Sequence, residues 1–307
     1  MSEPNGLIFD IRKNSQQDGP GIRTAVLFKG CTMSCWWCGA PEVQSPAVEV
    51  AVREVRCVRC GSCVAVCPVD AAYEDTSGET VRYTVDRDVC IACGSCIGGC
   101  QGEGRALIGK RMSASEVMEH IAVASNDLKE LGGGVTFTGG EPLMQVQFLS
   151  ELLRSSKALG LHTAVDTSGY APWQAFDQIR SNVDLFLFDL KIIDDERHRQ
   201  FTGVSNEGIL FNLKTLTDLG HRIVLRVPLI PGITDDEENL QAIGEFASTL
   251  QNLECVELFP FLKTAEEQYE RLGKSYRMAT VSPMTEDRLG FVKHLFEQFG
   301  LTTNIVR

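Results

Sequence analysis

Thr-Ala-Val-Leu-Phe-Lys-Gly-Cys-Thr-Met-Ser-Cys-Trp-Trp-Cys, residues 24–38, joins a short apolar strand to a loop that carries Cys31, Cys35 and Cys38. The spacing is Cys-x3-Cys-x2-Cys, and three is the informative number. A [4Fe–4S] cube has four irons, and electron-transfer proteins normally cap all four with thiolates. A cube held by three leaves one iron open, as a catalytic zinc leaves a position for water or substrate. Chemistry at the metal is the expectation, rather than storage of an electron.

Eight further cysteines lie just downstream. Cys57, Cys60, Cys63 and Cys67 read Cys-x2-Cys-x2-Cys-x3-Cys and are followed by Pro68. Cys90, Cys93, Cys96 and Cys100 repeat the spacing, each 33 residues after its counterpart, with Gly98-Gly99 and no following proline. This is the run of bacterial two-cluster ferredoxins, in which the fourth cysteine of each run ligates the other cluster. Carried over, one cube takes Cys57, Cys60, Cys63 and Cys100, and the other takes Cys90, Cys93, Cys96 and Cys67. Paired zinc sites are the alternative for Cys-x2-Cys pairs, but these runs overfill that pattern. Cys255, the remaining cysteine, sits in a strand-like stretch and reads as a small buried apolar residue.

The 307 residues are 43% hydrophobic and 23% charged, as in ordinary globular proteins, with a net charge of −12. That charge argues against a nucleic-acid surface, which would show a basic patch. No apolar run approaches the roughly 20 residues of a membrane span, and Met1–Asp10 lacks the basic and apolar regions of a signal peptide. Eleven of twelve cysteines fall between Cys31 and Cys100, a density that means metal or redox chemistry in a reducing compartment. The expected location is the cytoplasm, with no membrane and no nucleic-acid partner.

Beyond the cysteine-rich stretch an alternation of strands and helices resumes. Strands are expected at 24–29, 135–138, 161–165, 185–189, 223–229 and 256–259. Helices are expected from the capping box Ser113-x-x-Glu116 to about Leu131, around Phe148–Leu153, and at 209–219, 237–250 and 285–299. Such alternation implies a parallel sheet with right-handed crossovers. A complete eight-stranded barrel needs about 250 residues, so the chain without its insert leaves room for a shorter, open barrel. Periodicity alone leaves a doubly wound sheet as the alternative. The position of the motifs decides between them better than periodicity does. The expected fold is α/β, a partial (β/α)6 TIM-like barrel with an inserted bacterial ferredoxin-like α+β domain. Residues 1–52 begin the barrel, 53–107 form the insert and 108–307 complete the barrel.

In these folds reactive residues gather beyond the carboxyl ends of the strands. Four polar clusters occupy such places: Cys31–Cys38, Thr138-Gly-Gly-Glu-Pro142, Asp166-Thr-Ser-Gly169 and Asp189-Leu-Lys191. Gly139-Gly140 lacks the lysine of a phosphate loop. It reads either as a tight turn or as a place where a ligand nears the backbone, with Glu141 able to receive a cationic amine. Taken singly, Asp166, Asp189 and Lys191 would pass for solvated residues. The five histidines show no ligand spacing.

Together with Asp18-Gly-Pro-Gly-Ile-Arg23, these motifs resemble the radical S-adenosylmethionine (SAM) superfamily, and within it the activating enzymes of glycyl radical enzymes, relatives of pyruvate formate-lyase activase. The insert resembles the branch that activates glycerol or choline-type lyases and aryl-acetate decarboxylases. The resemblance covers essentially the whole chain. It implies three [4Fe–4S] clusters and SAM as cofactors, a glycyl radical enzyme as protein substrate, a flavodoxin or ferredoxin as electron donor, and a monomer. By the resemblance, the open iron binds SAM. Gly139, Gly140 and Glu141 hold its amino group and Lys191 its carboxylate, while Asp166 and Asp189 fix its polar end through a monovalent cation, Lys191 and Asp166 being the catalytic pair. Arg226 is a further SAM contact, Trp36-Trp37 packs on the cluster or adenine, and Asp18–Arg23 touches the partner's glycine loop. Two departures stand out. Relatives often carry Pro-Tyr-His where this chain has Pro260-Phe-Leu262, so that contact is absent or is replaced by Lys263, and the loop after Cys38 reads Gly-Ala-Pro. The rival readings are a radical SAM enzyme acting on a small molecule or peptide, and a non-enzymatic electron carrier.

Overall fold

The computed structural model describes residues 3–306, so Met1 and Ser2 of the stretch read against a signal peptide lie outside it. Its nine-stranded sheet contains β1 (Asn5–Ser15), β2 (Arg23–Phe28), β7 (Lys110–Ser113), β8 (Gly134–Gly139), β9 (His162–Thr167), β10 (Leu185–Asp189), β11 (Ile223–Leu229), β12 (Leu253–Pro260) and β13 (Thr303–Ile305). The order is β13-β12-β11-β10-β9-β8-β2-β1-β7. From β2 to β13 every pairing is parallel, and β1 pairs antiparallel with both β2 and β7. The end strands β7 and β13 do not join, so the barrel stays open.

Successive side chains of a strand point to opposite faces. On the outer face Phe137, Val165, Phe186, Phe188, Leu225 and Leu258 pack under the helices in one large core. On the inner face Ala164, Leu185, Leu187 and Val224 form a small apolar floor, with half-buried Cys255 against it. Both faces are covered, which is why these strands read as continuous apolar runs. Two residues further along the same inner rows come Asp166, Asp189, Arg226 and Glu257. The floor is apolar and the layer above it is charged.

Some expectations are corrected. The helix expected over 113–131 is two, Ala114–Ala122 and Ser125–Glu130, because the Ser125 hydroxyl takes the Ala122 carbonyl (2.9 Å) and interrupts the ladder. The parallel set has seven strands rather than six, and the antiparallel β1 and β7 were not expected. β1 is buried only over Gly6–Ile8, and its second half is half-buried or exposed with Asp10 and Arg12 pairing in solvent, so it reads as a polar terminus. The helix Asp195–Thr202 was also missed, although its signals are present: Asp194 caps it by accepting from Arg197 N–H, and Gly203 ends it at φ 87°.

The cysteine-rich unit has its own small pairings, β3 (Glu49–Val52) with β6 (Arg105–Ile108) and β4 (Ala72–Asp75) with β5 (Arg82–Val85), all antiparallel. Two helical turns, Ser62–Ala65 and Ser95–Gly98, repeat at the cysteine period. Among the described residues no helix is long and apolar enough to cross a membrane.

Candidate active site

The cysteine loop leaves β2 at Gly30, whose φ of 110° suits glycine. Backbone bonds then fix its path. Gly30 N–H donates to Val43 (2.7 Å), Cys31 N–H to Gln44 (2.9 Å), Ser34 N–H to Thr202 (2.8 Å) and Trp36 N–H to Phe201 (3.1 Å). The end of the missed helix therefore carries half of the loop. Buried His198, one of the histidines given no chemistry, sits in that helix with Nδ1 2.7 Å from the Val204 carbonyl oxygen. Burial pushes the Cys31 thiol up to about 11 and Cys35 up to about 12, and raises Cys38 as well. Such sulfurs become thiolates when a metal takes the place of the proton.

The Gly-Gly-Glu loop of β8 lies directly on that cysteine loop. Gly140 N–H donates to the Phe28 carbonyl (2.9 Å) and Glu141 N–H to Gly30 (2.8 Å). A methyl group at Gly140 would run into the carbonyl oxygen of Gly30. The close approach that needs glycine here is thus to the chain itself. Gly140→Ala is expected to displace both loops, costing about 1–3 kcal/mol of local strain. A lowered melting temperature of the reconstituted protein, with iron content kept, is the outcome that checks it.

Glu141 corrects a sequence expectation. It is wholly buried and does not line the cleft described below. One carboxylate oxygen accepts from Thr167 Oγ1 (2.8 Å) and Leu143 N–H (3.2 Å), the other from Ser168 N–H (2.9 Å) and Ser168 Oγ (2.5 Å). Burial raises its carboxyl and these donors oppose that rise. With all four contacts internal, Glu141 ties the β8 loop to the β9 loop and leaves no oxygen for an amine.

Asp166 accepts from Thr138 Oγ1 (2.8 Å) and from Arg226 (3.0 Å), which also reaches Glu257 (3.1 Å) and the Gln17 carbonyl (2.6 Å). Burial pushes Asp166 up to about 6 although Arg226 pulls the other way. Arg226 is thus a layer behind Asp166, a counter-charge rather than a cleft wall. Lys191, 7% exposed, pairs with Asp189 at 2.6 Å. Burial alone would lower its ammonium, but Asp189 and the neighbouring Cys35 outweigh that and hold it above the usual lysine range.

These pieces share one cleft of about 680 Å³. Cys31, Cys35 and Cys38 line one side, with Thr138, Gly139, Gly140, Asp166, Asp189 and Lys191 also lining it. Thr138 and Ser168 stood inside two of the strand-end motifs without a role, and Glu257 and Gln17 were not singled out from sequence. Glu257 was legible as a charge on the inner row of an apolar strand, two residues after Cys255. Trp37 lines the cleft and packs on Phe261, while Trp36 lies under Arg277 at 4.5 Å. Leu262 and Lys263 are exposed and line nothing here. Arg23 is buried and turned inward, donating to Thr136, Pro20 and Val135, so of that motif only Pro20 and Gly21 are exposed.

In the insert, Cys90, Cys93, Cys96 and Cys67 line a cavity of about 300 Å³, and Cys57, Cys60, Cys63 and Cys100 line one of about 340 Å³. Among the described residues no three such groups converge tightly enough to hold a single ion. Quartets arranged around a cavity instead suit a polynuclear group, in which each iron takes one thiolate. The thiols of Cys60, Cys67 and Cys93 are lowered, by Ser62, by Ala72 N–H and by Ser95 respectively.

A 4Fe-4S dicluster domain matches residues 49–111 and the radical SAM superfamily matches residues 93–242. The trans-4-hydroxy-L-proline dehydratase activating enzyme of Clostridioides difficile is 38% identical over 98% of this chain and 99% of its own. The choline trimethylamine-lyase activating enzyme of Oleidesulfovibrio alaskensis is 37% identical over 100% of both. A solved domain of a pyruvate-formate lyase-activating enzyme from Bacteroides vulgatus is 31% identical, at a TM-score of 0.49, over 57% of this chain and 99% of that one. Full-length identity at this level assigns the chain: it belongs to the glycyl radical enzyme activating enzymes of the radical SAM superfamily.

Proposed function

We propose that this protein reductively cleaves SAM at a [4Fe–4S] centre held by Cys31, Cys35 and Cys38 and thereby places a radical on a glycine of a partner enzyme. The single observation that carries the proposal is the convergence of a three-thiol loop, a glycine-pair edge, Asp166 and Lys191 on one cleft. When bound, the cluster supplies the electron that splits the sulfonium C–S bond into methionine and a 5′-deoxyadenosyl radical, which takes a hydrogen atom from the partner's glycine.

The chain's residues bind and orient. Backbone carbonyls along Thr138–Gly140 accept from the SAM ammonium, and the Lys191 ammonium neutralises its carboxylate. Asp166 and Asp189 hold the polar end with a monovalent cation, and Arg226 keeps Asp166 ionised behind it. Glu141 acts through Ser168 by keeping the two loops in register. In the insert, which runs with its strand pairs over Glu49–Ile108 and leaves the barrel to the flanking residues, the two quartets hold two more [4Fe–4S] cubes. These relay electrons from a flavodoxin or ferredoxin. Eleven cysteines gathered between Cys31 and Cys100 as cluster ligands suit the reducing cytoplasm. Names of relatives point to a dehydratase or lyase of the glycyl radical class as the partner.

Anaerobic reconstitution followed by SAM and dithionite tests the first half. Methionine and 5′-deoxyadenosine in equal amounts are expected, and their absence at full iron loading would refute it.

A further inference from the structure

The two cysteine runs of the insert form an internal comparison, because position i in the first matches position i+33 in the second. The backbones agree closely: Arg59 and Ala92 have φ of 56° and 52°, Gly61 and Gly94 have 70° and 82°. The side chains around them do not agree. Arg53, Arg56 and Arg59 of the first run stand where the second has Asp86, Val89 and Ala92.

The two copies also face different surroundings. In the second, Arg87 donates to the Val50 carbonyl of β3 (2.9 Å) and crosses to the barrel at the Arg271 carbonyl (3.2 Å). Val50 lines that copy's cavity and adjoins Glu49, which Lys29 holds at 2.7 Å just before the active-site cysteine loop. In the first copy the matching residue, Glu54, faces an open cleft of about 980 Å³ that separates it from Arg271 and Lys274. Its cavity is lined instead by Val52, two residues further along β3.

Around exposed Cys60, Val55 is 87% and Val58 60% exposed, flanked by Arg56 and Arg59 at 53% each. Arg56 meets Glu103 and Arg59 meets Glu54 only through exposed pairs, which exchange readily. The matching face of the second copy also exposes Val89 and Ile91 but carries Asp70, Asp86 and Asp88, with Arg87 turned inward, so the two faces differ in charge. On a chain of net charge −12, an apolar patch rimmed by arginine selects an acidic protein.

We infer that electrons enter at the Cys57/Cys60/Cys63/Cys100 quartet, through a docking face of Val55, Arg56, Val58 and Arg59 that receives an acidic one-electron carrier protein. The second quartet, tied to the barrel through Arg87, then passes them inward. The inference rests on the proposed reading of the insert as a relay. The step moves one electron and no atoms: the carrier is oxidised by one and a cube is reduced by one.

The test is stopped-flow bleaching of cluster absorbance in the holoprotein by a photoreduced acidic flavodoxin, with dithionite in parallel. Arg56→Glu/Arg59→Glu is expected to slow the flavodoxin phase about tenfold at low salt and to flatten its salt dependence. Dithionite bleaching and iron content are expected to stay unchanged. Glu103→Lys, which adds positive charge to the same face, is expected to speed the flavodoxin phase. Val89→Glu, at the position matching Arg56, is expected to leave it within about twofold. A double variant reduced at the wild-type rate, or Val89→Glu slowing it equally, would overturn the inference. So would a wild type that dithionite bleaches and flavodoxin does not. None of these outcomes depends on a glycyl radical, so the docking face and the activase reading fail separately.

Discussion

Cys35→Ala is expected to abolish 5′-deoxyadenosine formation while iron falls only from about twelve to about eight per chain, two cubes' worth. The split follows from where the thiols sit. Cys35 belongs to a loop held by Thr202, Phe201, Val43 and Gln44 on the barrel. The insert quartets occupy separate cavities, and neither includes a loop cysteine. A cube with three protein ligands has no spare, so losing one leaves two thiolates on four irons. Iron analysis with product chromatography reads both quantities at once. Loss of nearly all the iron would mean that the insert and the barrel share ligands. Retained SAM cleavage would place the chemistry elsewhere.

Glu141→Gln is expected to be nearly as damaging, although Glu141 does not line the cleft. Four donors converge on its carboxylate from three residues. A glutamine offers them one oxygen and turns an N–H2 group toward the rest, so at least one buried donor is left without an acceptor. Leaving a buried donor without its acceptor in this way costs about 1–3 kcal/mol. The loss falls on the junction between the β8 and β9 loops, and both loops line the cleft. SAM affinity is therefore expected to drop strongly while iron content is kept. Ser168→Ala, which removes the shortest of the four bonds, should reproduce part of the effect. If Ser168→Ala binds SAM like the wild type while Glu141→Gln does not, Glu141 touches SAM directly and the positioning role is wrong.

The parts of this molecule that were legible in sequence are those governed by local rules. Strand–helix alternation, the capping box at Ser113 and the doubled cysteine run depend on spacing along the chain. So does the gathering of Cys31–Cys38, Gly139-Gly140, Asp166 and Lys191, since each follows a parallel strand and such strands share one end. Roles set by what faces a side chain across space were not legible. Glu141 and Asp166 both lie in strand-end motifs, yet one is enclosed by Thr167 and Ser168 while the other borders the cleft. Arg226 belongs to the same inner row as Val224, and only the packed barrel puts Asp166 and Glu257 beside it. The helix Asp195–Thr202 was missed because its polar composition hides its part in holding Ser34 and Trp36.

The most direct test of the central claim is electron paramagnetic resonance of the reconstituted protein with SAM, reductant and glycyl radical enzymes encoded beside it. A glycyl doublet that appears only when SAM, reductant and partner are all present, and never with Cys35→Ala, is the expected result. SAM cleavage at full cluster loading with no doublet on any such partner would contradict the account. It would leave a radical SAM enzyme acting on something other than a protein glycine.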